Sequence, residues 1–207
     1  MAVLNGPKCK KCRRAGKKLF LKADRCNTAK CAMVKRNFPP GAHGPTSHTR
    51  MTTYGIQHKE KQKAKIIYGV LEKQFKTYFD KATGKKGDTA ITLTQMLESR
   101  LDNTLFRSGF AKSRKIARQL IGHNHILVNN KKMNIPSFDV KVGDIISLKH
   151  DKIGPFKELK EQLAKAKGYS WLVINPDKFE IKIADKPNVE EIAGEFDPKL
   201  ITEFYSR

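Results

Sequence analysis

Between Leu97 and Leu148 the apolar residues change period, and no single kind of secondary structure satisfies both halves of the stretch. Leu97, Leu101 and Leu105 recur every fourth residue, as one face of a helix requires, and Gly109 follows Arg107 where a helix C-terminus favours glycine. A first helix is expected to stop near Ser108. Ser113 then precedes Arg114, Lys115, Ile116, Ala117, Arg118, Gln119, Leu120 and Ile121, which reads as an N-capped second helix. On it Ile116, Ala117, Leu120 and Ile121 are expected to face inward, and Arg114, Lys115 and Arg118 outward. Beyond this helix the period is two. Ile126, Val128, Met133 and Ile135 bracket Asn129-Asn130, and asparagine is the commonest non-glycine residue at the positive φ of a two-residue hairpin turn. Pro136 limits pairing past that point. Val140 and Val142 lead to a tight turn at Gly143-Asp144, then to a strand of Ile145, Ile146 and Leu148. Two helices on a small, strongly twisted sheet follow, with basic side chains on the second helix and on the hairpin at Lys131 and Lys132.

The segments LESRLDN, GFAKSRKIARQLI, HILVNNKKMNIPSF and VGDII resemble the S-four RNA-binding domain. The family pattern usually has glycine where Asn124 and Asn130 stand. Asparagine tolerates left-handed backbone, so both positions are expected to keep the turn geometry at a cost.

Charge says where a polyanion would bind. The chain of 207 residues carries 42 Lys and Arg against 20 Asp and Glu, a formal net charge of +22, which points to a polyanionic partner and says nothing about fold. The first 150 residues hold 32 of the basic and 9 of the acidic residues; the last 57 hold 10 and 11. Polyanion binding therefore belongs to the first three quarters, and the remainder is expected to meet protein or solvent. No stretch has the roughly 20 apolar residues of a membrane span and no apolar signal core precedes the basic N-terminal cluster, so a cytoplasmic or equivalent location is expected.

All four cysteines fall within the first 31 residues, and reducing compartments rarely keep disulfides. Cys9 and Cys12 are spaced so that a tight turn can aim two thiolates at one metal, and Cys26 and Cys31 can supply two more. Lys8, Lys10, Lys11, Arg13 and Arg14 would lower the thiol pKa values and offset the charge of four thiolates. The segment has few apolar residues, chiefly Leu19, Phe20 and Leu21, so a metal would supply the cross-link that burial does not. One structural zinc is expected; an iron–sulfur cluster is the alternative that spacing leaves open, and four leftover free thiols the bland one.

Met33 to Thr53, with Pro39-Pro40-Gly41 and Gly44-Pro45, reads as a surface loop whose polar tips are His43, His48 and Arg50. Between Gln57 and Ala82 runs the longest helical pattern, with Ala64, Ile67, Tyr68, Leu71, Phe75, Tyr78, Phe79 and Ala82 as a buried stripe. Lys59, Lys61, Lys63, Lys65, Lys73 and Lys76 crowd the rest; a solvated face is the bland reading, and phosphate contact is preferred because Glu60 and Glu72 are the only carboxylates before Asp80. After a linker from Gly84 to Asp88, Thr89 or Thr92 is expected to cap the first module helix, with Thr92 and Gln95 spaced as a capping box. Past the module, Gly154-Pro155 opens a short helix with Phe156, Leu159 and Leu163 on one face, Trp171–Ile174 and Phe179–Ile183 read as strands around Asn175-Pro176-Asp177, and Asp197-Pro198 opens a last helix. Trp171 reads as a packing anchor.

Taken together, the cysteine knuckles, PPGAHG, YGIQHKEKQKAKIIYGVLEKQFKTYF, the module, WLVI and the terminal EFYSR resemble bacterial-type small-subunit ribosomal protein S-four along nearly the whole chain. The resemblance implies an α+β fold: a mainly helical N-terminal domain with a metal-knuckle extension, carrying the inserted module. Residues 1–50 would form the cysteine segment and loop, 51–92 with 150–207 the body, and 93–149 the module. It also implies binding to the five-prime domain of small-subunit rRNA, early nucleation of subunit assembly and a part in translational accuracy. Further implied are contact with ribosomal proteins S-five and S-three and a place beside the messenger RNA (mRNA) where it enters the subunit. The RNA-contacting set would be Lys10, Lys11, Arg13, Arg14, Arg50, Tyr54, Lys59, Lys61, Lys63, Arg107, Lys112, Ser113, Arg114, Lys115, Arg118, Gln119, His123, His125, Asn129, Lys131 and Lys132. The family usually offers several basic side chains to the messenger between 41 and 50; this chain offers mainly Arg50 and histidines.

No catalytic residue, membrane partner or small-molecule substrate is expected. An RNA-modifying enzyme or a tyrosyl-tRNA synthetase built on this module needs a catalytic domain larger than the 57 residues that follow it. A zinc deaminase needs a His-x-Glu before a Pro-Cys-x-x-Cys; the His-x-Glu at His58–Glu60 follows the cysteines, and no Pro-Cys-x-x-Cys is present. A zinc-finger transcription factor needs a helix suited to the DNA major groove, whereas the knuckles sit in a low-periodicity basic loop. An RNA-binding factor outside the ribosome, or a repressor of its own operon messenger, stays as the alternative.

Overall fold

A left-handed glycine divides what the apolar spacing presents as one long helix. The computed structural model describes residues 6–46, 50–149, 163, 168–192 and 194–207. In it α3 (Thr53–Tyr68) ends at Gly69, whose φ of 61° lets its own N–H and that of Val70 turn back to the carbonyls of Ile66 and Lys65. Then α4 (Glu72–Thr83) begins after Leu71 in extended backbone. The expected stripe is buried across this break, since Ala64, Ile67, Tyr68, Phe75, Phe79 and Ala82 are all at most 9% exposed. Thr52 caps α3 by accepting the Gly55 N–H at 3.2 Å.

Chain contacts define two units, residues 1–94 with 192–207 and residues 95–191. The first also holds α1 (Lys8–Ala15), a 3-10 turn (Ala23–Cys26), α2 (Ala32–Lys35), most of α5 (Thr89–Glu98) and the closing helix α9 (Pro198–Tyr205). The knuckle segment, expected as a loop, is thus partly helical, with Cys9 and Cys12 one turn apart on α1. Asp197 caps α9 through the Lys199 N–H, with Pro198 at its first turn as expected. This helix packs on α3 and α4: Ile201 is fully buried and Tyr205 stacks on Phe79 at 4.5 Å. At the start of α5 the cap is Asp88, which accepts the Ala90 N–H at 2.7 Å, while Thr92 donates its hydroxyl back to the Asp88 carbonyl. The expected Thr92–Gln95 capping box does not form, because the helix begins three residues earlier, at Thr89.

In the second unit the first module helix is also interrupted. Arg100 is extended (φ −68°, ψ 136°) and bridges to Asp139, so α5 stops and α6 (Leu101–Arg107) starts afresh. The cause is the segment 136–139, whose carbonyls at Pro136 and Phe138 accept the N–H groups of Asp102 and Leu101 that a helix start leaves without partners. Ser113 caps α7 (Arg114–Gly122) as expected. Next come β1 (Ile126–Val128) and β2 (Lys131–Lys132), joined by Asn129 and Asn130 at φ 50° and 61°, the backbone of a primed hairpin turn; Asn124 is left-handed too, at φ 57°. Ile135 lies outside the ladder and is 53% exposed, because β2 ends well before Pro136.

The sheet extends further than the module pattern implied. Antiparallel order is β2-β1-β3-β5-β4, with β3 (Ile145–Leu148) paired to β5 (Glu180–Ile183) and β5 to β4 (Leu172–Asn175). The expected division assigned 150–207 to the body, whereas this pairing places the β4–β5 hairpin and the short helix α8 (Val189–Ile192), up to residue 191, with the second unit. The core under the sheet joins Leu101, Leu105, Ala117, Ile121, Ile126, Ile146, Trp171 and Ile181 among others, and Trp171 is 1% exposed, the packing anchor expected. Ile116 departs from expectation at 38% exposure: it sits on the open side of α7, and Ala117 and Ile121 fill the core. The helix expected from Gly154-Pro155 and the tip His48 lie outside the described residues, save Leu163, which is buried. Among the described residues no helix is long and apolar enough to cross a membrane.

Candidate nucleic-acid interface

Of the residues expected to meet RNA in the second unit, the structure divides an outer set from an inner one. Lys115, Gln119 and His123 follow each other at helical spacing along the open side of α7, all exposed, and Lys112 is exposed just before it. Lys131 and Lys132 are exposed on the hairpin, and His125 is half-buried with its ring 6.1 Å from that of His123. These cationic and hydrogen-bonding side chains are suited to phosphates and unpaired bases.

The inner set is tied to acids. Arg107, 8% exposed, donates from Nε and Nη2 to the Glu98 carboxylate at 2.9 and 2.8 Å and from Nη1 to the Tyr169 hydroxyl at 3.1 Å. Glu98 is fully buried and also accepts from Asn103 at 2.6 Å. Arg118 donates to Asp102 at 2.6 Å, where Arg100 donates as well, and Arg114 donates to Asn103 at 2.9 Å with its guanidinium 4.4 Å over Phe106. The outward placing of Arg114 and Arg118 is therefore corrected: both fold back onto α6, drawn by buried acceptors there. Arg107 is corrected likewise, from RNA contact to core ion pair. Ser113 is 5% exposed and its hydroxyl accepts the Ile116 N–H. Asn129 is exposed, but its side chain joins two turns, donating to Asp144 at 2.8 Å and accepting the Ile145 N–H at 2.9 Å. The residues that sequence reasoning left without a role are Glu98, Asp102 and Asn103. Their signal is a polar cluster, five of the six residues from Glu98 to Asn103, inside the stretch where Leu97, Leu101 and Leu105 mark a helical face.

Of the residues expected to meet RNA in the first unit, Lys10, Arg14 and Arg50 are exposed, Lys11 and Lys59 half-buried and Tyr54 53% exposed. Arg13 belongs elsewhere. Its Nε and Nη2 donate to the carbonyls of Phe38 and Pro39, and its guanidinium lies 4.8 Å over the Phe38 ring, so it clamps the proline loop. The loop is tight enough that a Cβ on Gly44 would stand 2.0 Å from the Pro39 carbonyl oxygen. Lys61, placed on the phosphate-facing side by its spacing, is 6% exposed and paired with Glu72 at 2.8 Å; Lys65 meets the same carboxylate and Lys63 meets Glu60. Two carboxylates thus absorb three of the expected lysines. Burial pushes the Glu72 carboxyl up, but hydrogen bonds from Lys61, Lys65 and Tyr205 outweigh it and hold the group at about 2. Burial and the bond to Glu72 push the Tyr205 hydroxyl well above its ordinary value.

Cys9, Cys12, Cys26 and Cys31 line one cavity together with Leu21 and Met33. Cys12, Cys26 and Cys31 are buried, and the Lys22 N–H points to the Cys26 sulfur at 3.3 Å. The expectation that neighbouring lysines lower the thiol pKa values is reversed at Cys12: burial pushes it up, and repulsion from Cys26, Cys9 and Cys31 adds to the rise. Four soft donors facing one space suit a thiophilic cation. As the side chains stand, no group of three or more His, Cys, Asp or Glu among the described residues is arranged to hold one.

Comparison with known proteins adds the following. Residues 3–98 match the family model described as ribosomal protein S4/S9 N-terminal domain, and residues 99–146 match the S4 domain. The chain is 48% identical over 212 residues to small ribosomal subunit protein uS4 of Natranaerobius thermophilus, covering 100% of both chains. It is 47% identical over 201 residues, 96% of each chain, to uS4 of Syntrophomonas wolfei. To uS4A of Clostridium acetobutylicum it is 46% identical over 209 residues, 100% of both.

Proposed function

The chain belongs to the family of small ribosomal subunit protein uS4, and from that membership we propose that it binds the five-prime domain of small-subunit rRNA and nucleates assembly there. Its family makes it a structural constituent of the small ribosomal subunit, an RNA-binding protein of the cytoplasm and not an enzyme. The observation that carries the finer reading is the exposed run of Lys115, Gln119 and His123 beside Lys131 and Lys132. This surface combines point charges with side chains able to read base edges. The charge-balanced last 57 residues suit contact with ribosomal proteins S-five and S-three. Arg50 and His43 suit a weak hold on mRNA where it enters the subunit, through which the protein would contribute to accuracy.

A footprint on deproteinised small-subunit rRNA tests this reading. Protection confined to the five-prime domain is expected. A surface making about 6 to 10 phosphate contacts should lose roughly three to five decades of affinity between about 50 and 200 mM salt. Scattered protection with a flat salt titration would refute it.

The same reading gives Cys9, Cys12, Cys26 and Cys31 one structural zinc. Four thiolates close the coordination shell, so the ion would order the segment and do no hydrolytic chemistry. Leu19 is the only aliphatic residue of that segment buried in the structure, which leaves a metal as the available cross-link. About one zinc per chain is expected, lost on Cys9→Ser with Cys12→Ser, and chelation should make residues 7–33 protease-sensitive while the two cores stay folded. Iron with bound sulfide would put a cluster in its place, and metal-free protein with an equally resistant segment would remove the idea.

A further inference from the structure

Tyr54, in the first turn of α3, presents its ring to solvent with a rigid backing. His58, one turn on, lies parallel to it at 6.0 Å with 4° between the planes. Phe204 of α9 meets the two rings at 5.4 and 5.8 Å, tilted by 37° and 40°. Phe204 is itself fixed, by the Lys61 ammonium 4.3 Å from its centroid and by Tyr205 edge-on at 5.3 Å. A ring that is 53% exposed and held by such neighbours can take a planar partner at little cost in side-chain order.

The surroundings decide what kind of partner. The Arg207 guanidinium lies 5.9 Å from the Tyr54 centroid, and Arg50, four residues earlier in the chain, is exposed. The carboxylates of this region are engaged: Glu203 accepts from Gln57 at 2.8 Å, and Glu60 takes Lys63 and the Asp197 N–H. An aromatic face beside two arginines, with Glu60 paired to Lys63 and Glu203 turned to the Gln57 amide, matches a nucleobase flanked by phosphates better than an apolar protein surface.

We infer that Tyr54 is a stacking platform for one unpaired base of the bound RNA, with Arg50 and Arg207 placed for the flanking phosphates. The inference rests on the rRNA-binding reading above and adds a base-contacting site in the first unit, outside the module.

Full-length protein bound to a transcript of the small-subunit rRNA five-prime domain and irradiated with ultraviolet light should carry a crosslinked nucleotide at Tyr54. Tyr54→Leu should weaken binding about 5- to 100-fold with the logarithmic salt slope unchanged, because a stack is lost and no ion pair is. Tyr54→Phe should bind like the unsubstituted protein. Full affinity in Tyr54→Leu, or a loss that Tyr54→Phe shares and that follows a fall in thermal midpoint, would overturn the inference. So would normal RNA binding by Tyr54→Leu together with loss of a neighbouring protein from reconstituted subunits, which would assign the ring to a protein contact. Failure of the unsubstituted protein to bind the transcript would instead strike the rRNA-binding reading itself.

Discussion

Glu72 and Glu98 each gather basic side chains, one in either unit, and they do so at different depths. The Glu72 side chain is 48% exposed, so water shares the work of holding it beside Lys61, Lys65 and Tyr205. Glu98 has no exposure, and its carboxylate is held by Arg107 and Asn103. The pairing is alike in kind and unlike in consequence. A half-exposed pair is worth little to stability, whereas breaking a buried one strands a charge in a poor solvent. In both units the pairing also withdraws cations from the phosphate-binding surface.

The largest effect that separates the two sites is expected from Glu98→Gln, which leaves the Arg107 guanidinium buried without its counter-charge. It should cost the second unit about 3 kcal/mol in urea unfolding, while Glu98→Leu combined with Arg107→Met should recover much of that. A cost equal to that of Glu72→Gln would show that depth is not what distinguishes them.

A smaller effect is expected from Glu72→Gln, about 1 kcal/mol or less at neutral pH after allowing for solvent screening. Its sign with pH is fixed by the depressed folded value, about 2 against an ordinary 4.5. The contribution is therefore complete above pH 4.5 and is lost as pH falls toward about 2. Thermal midpoints of the parent and Glu72→Gln should converge over that window, and a gap that persists at its lower end would contradict the network.

The smallest effects concern affinity. Lys115→Ala should lower the salt slope of rRNA binding by about one phosphate contact, while Lys61→Ala, removing a cation already held by Glu72, should leave the slope unchanged. Equal slopes for both variants would erase the division between outer and inner cations.

Local chemistry explains which elements were legible in the sequence. The Asn129-Asn130 turn and the Ser113 cap are set by residues within a turn of each other and appear as expected, and the stripe from Ala64 to Ala82 is buried save Leu71 and Tyr78, which are partly exposed. The two helix breaks were less visible. Gly69 carries its own signal in a left-handed backbone, but the interruption at Arg100 is imposed by Asp139 from beyond the hairpin. The inward turn of Arg107 is joined to Tyr169, 62 residues away, and β3 pairs with β5 across the intervening chain, Ile146 opposite Ile181. In the site, Lys115, Lys131 and Lys132 were legible because their spacing alone carries them to the surface, where the structure has them exposed. Lys61, Arg13 and Arg118 were not, since helical spacing gives the direction of a side chain and omits the acceptor that bends it back.

The pairing of α9 with α3 has a consequence in time. Gln57 and Glu203, which join the two helices, are 146 residues apart. At roughly 5 to 20 residues per second of synthesis, some 7 to 30 s separate the making of the two partners. Within that interval the whole of the second unit, residues 95–191, is synthesised before Ile201 exists to cover α3. The unit whose chain starts first is completed after the other, so Ala64, Ile67 and Tyr68 must wait for a lid encoded beyond the whole of the second unit.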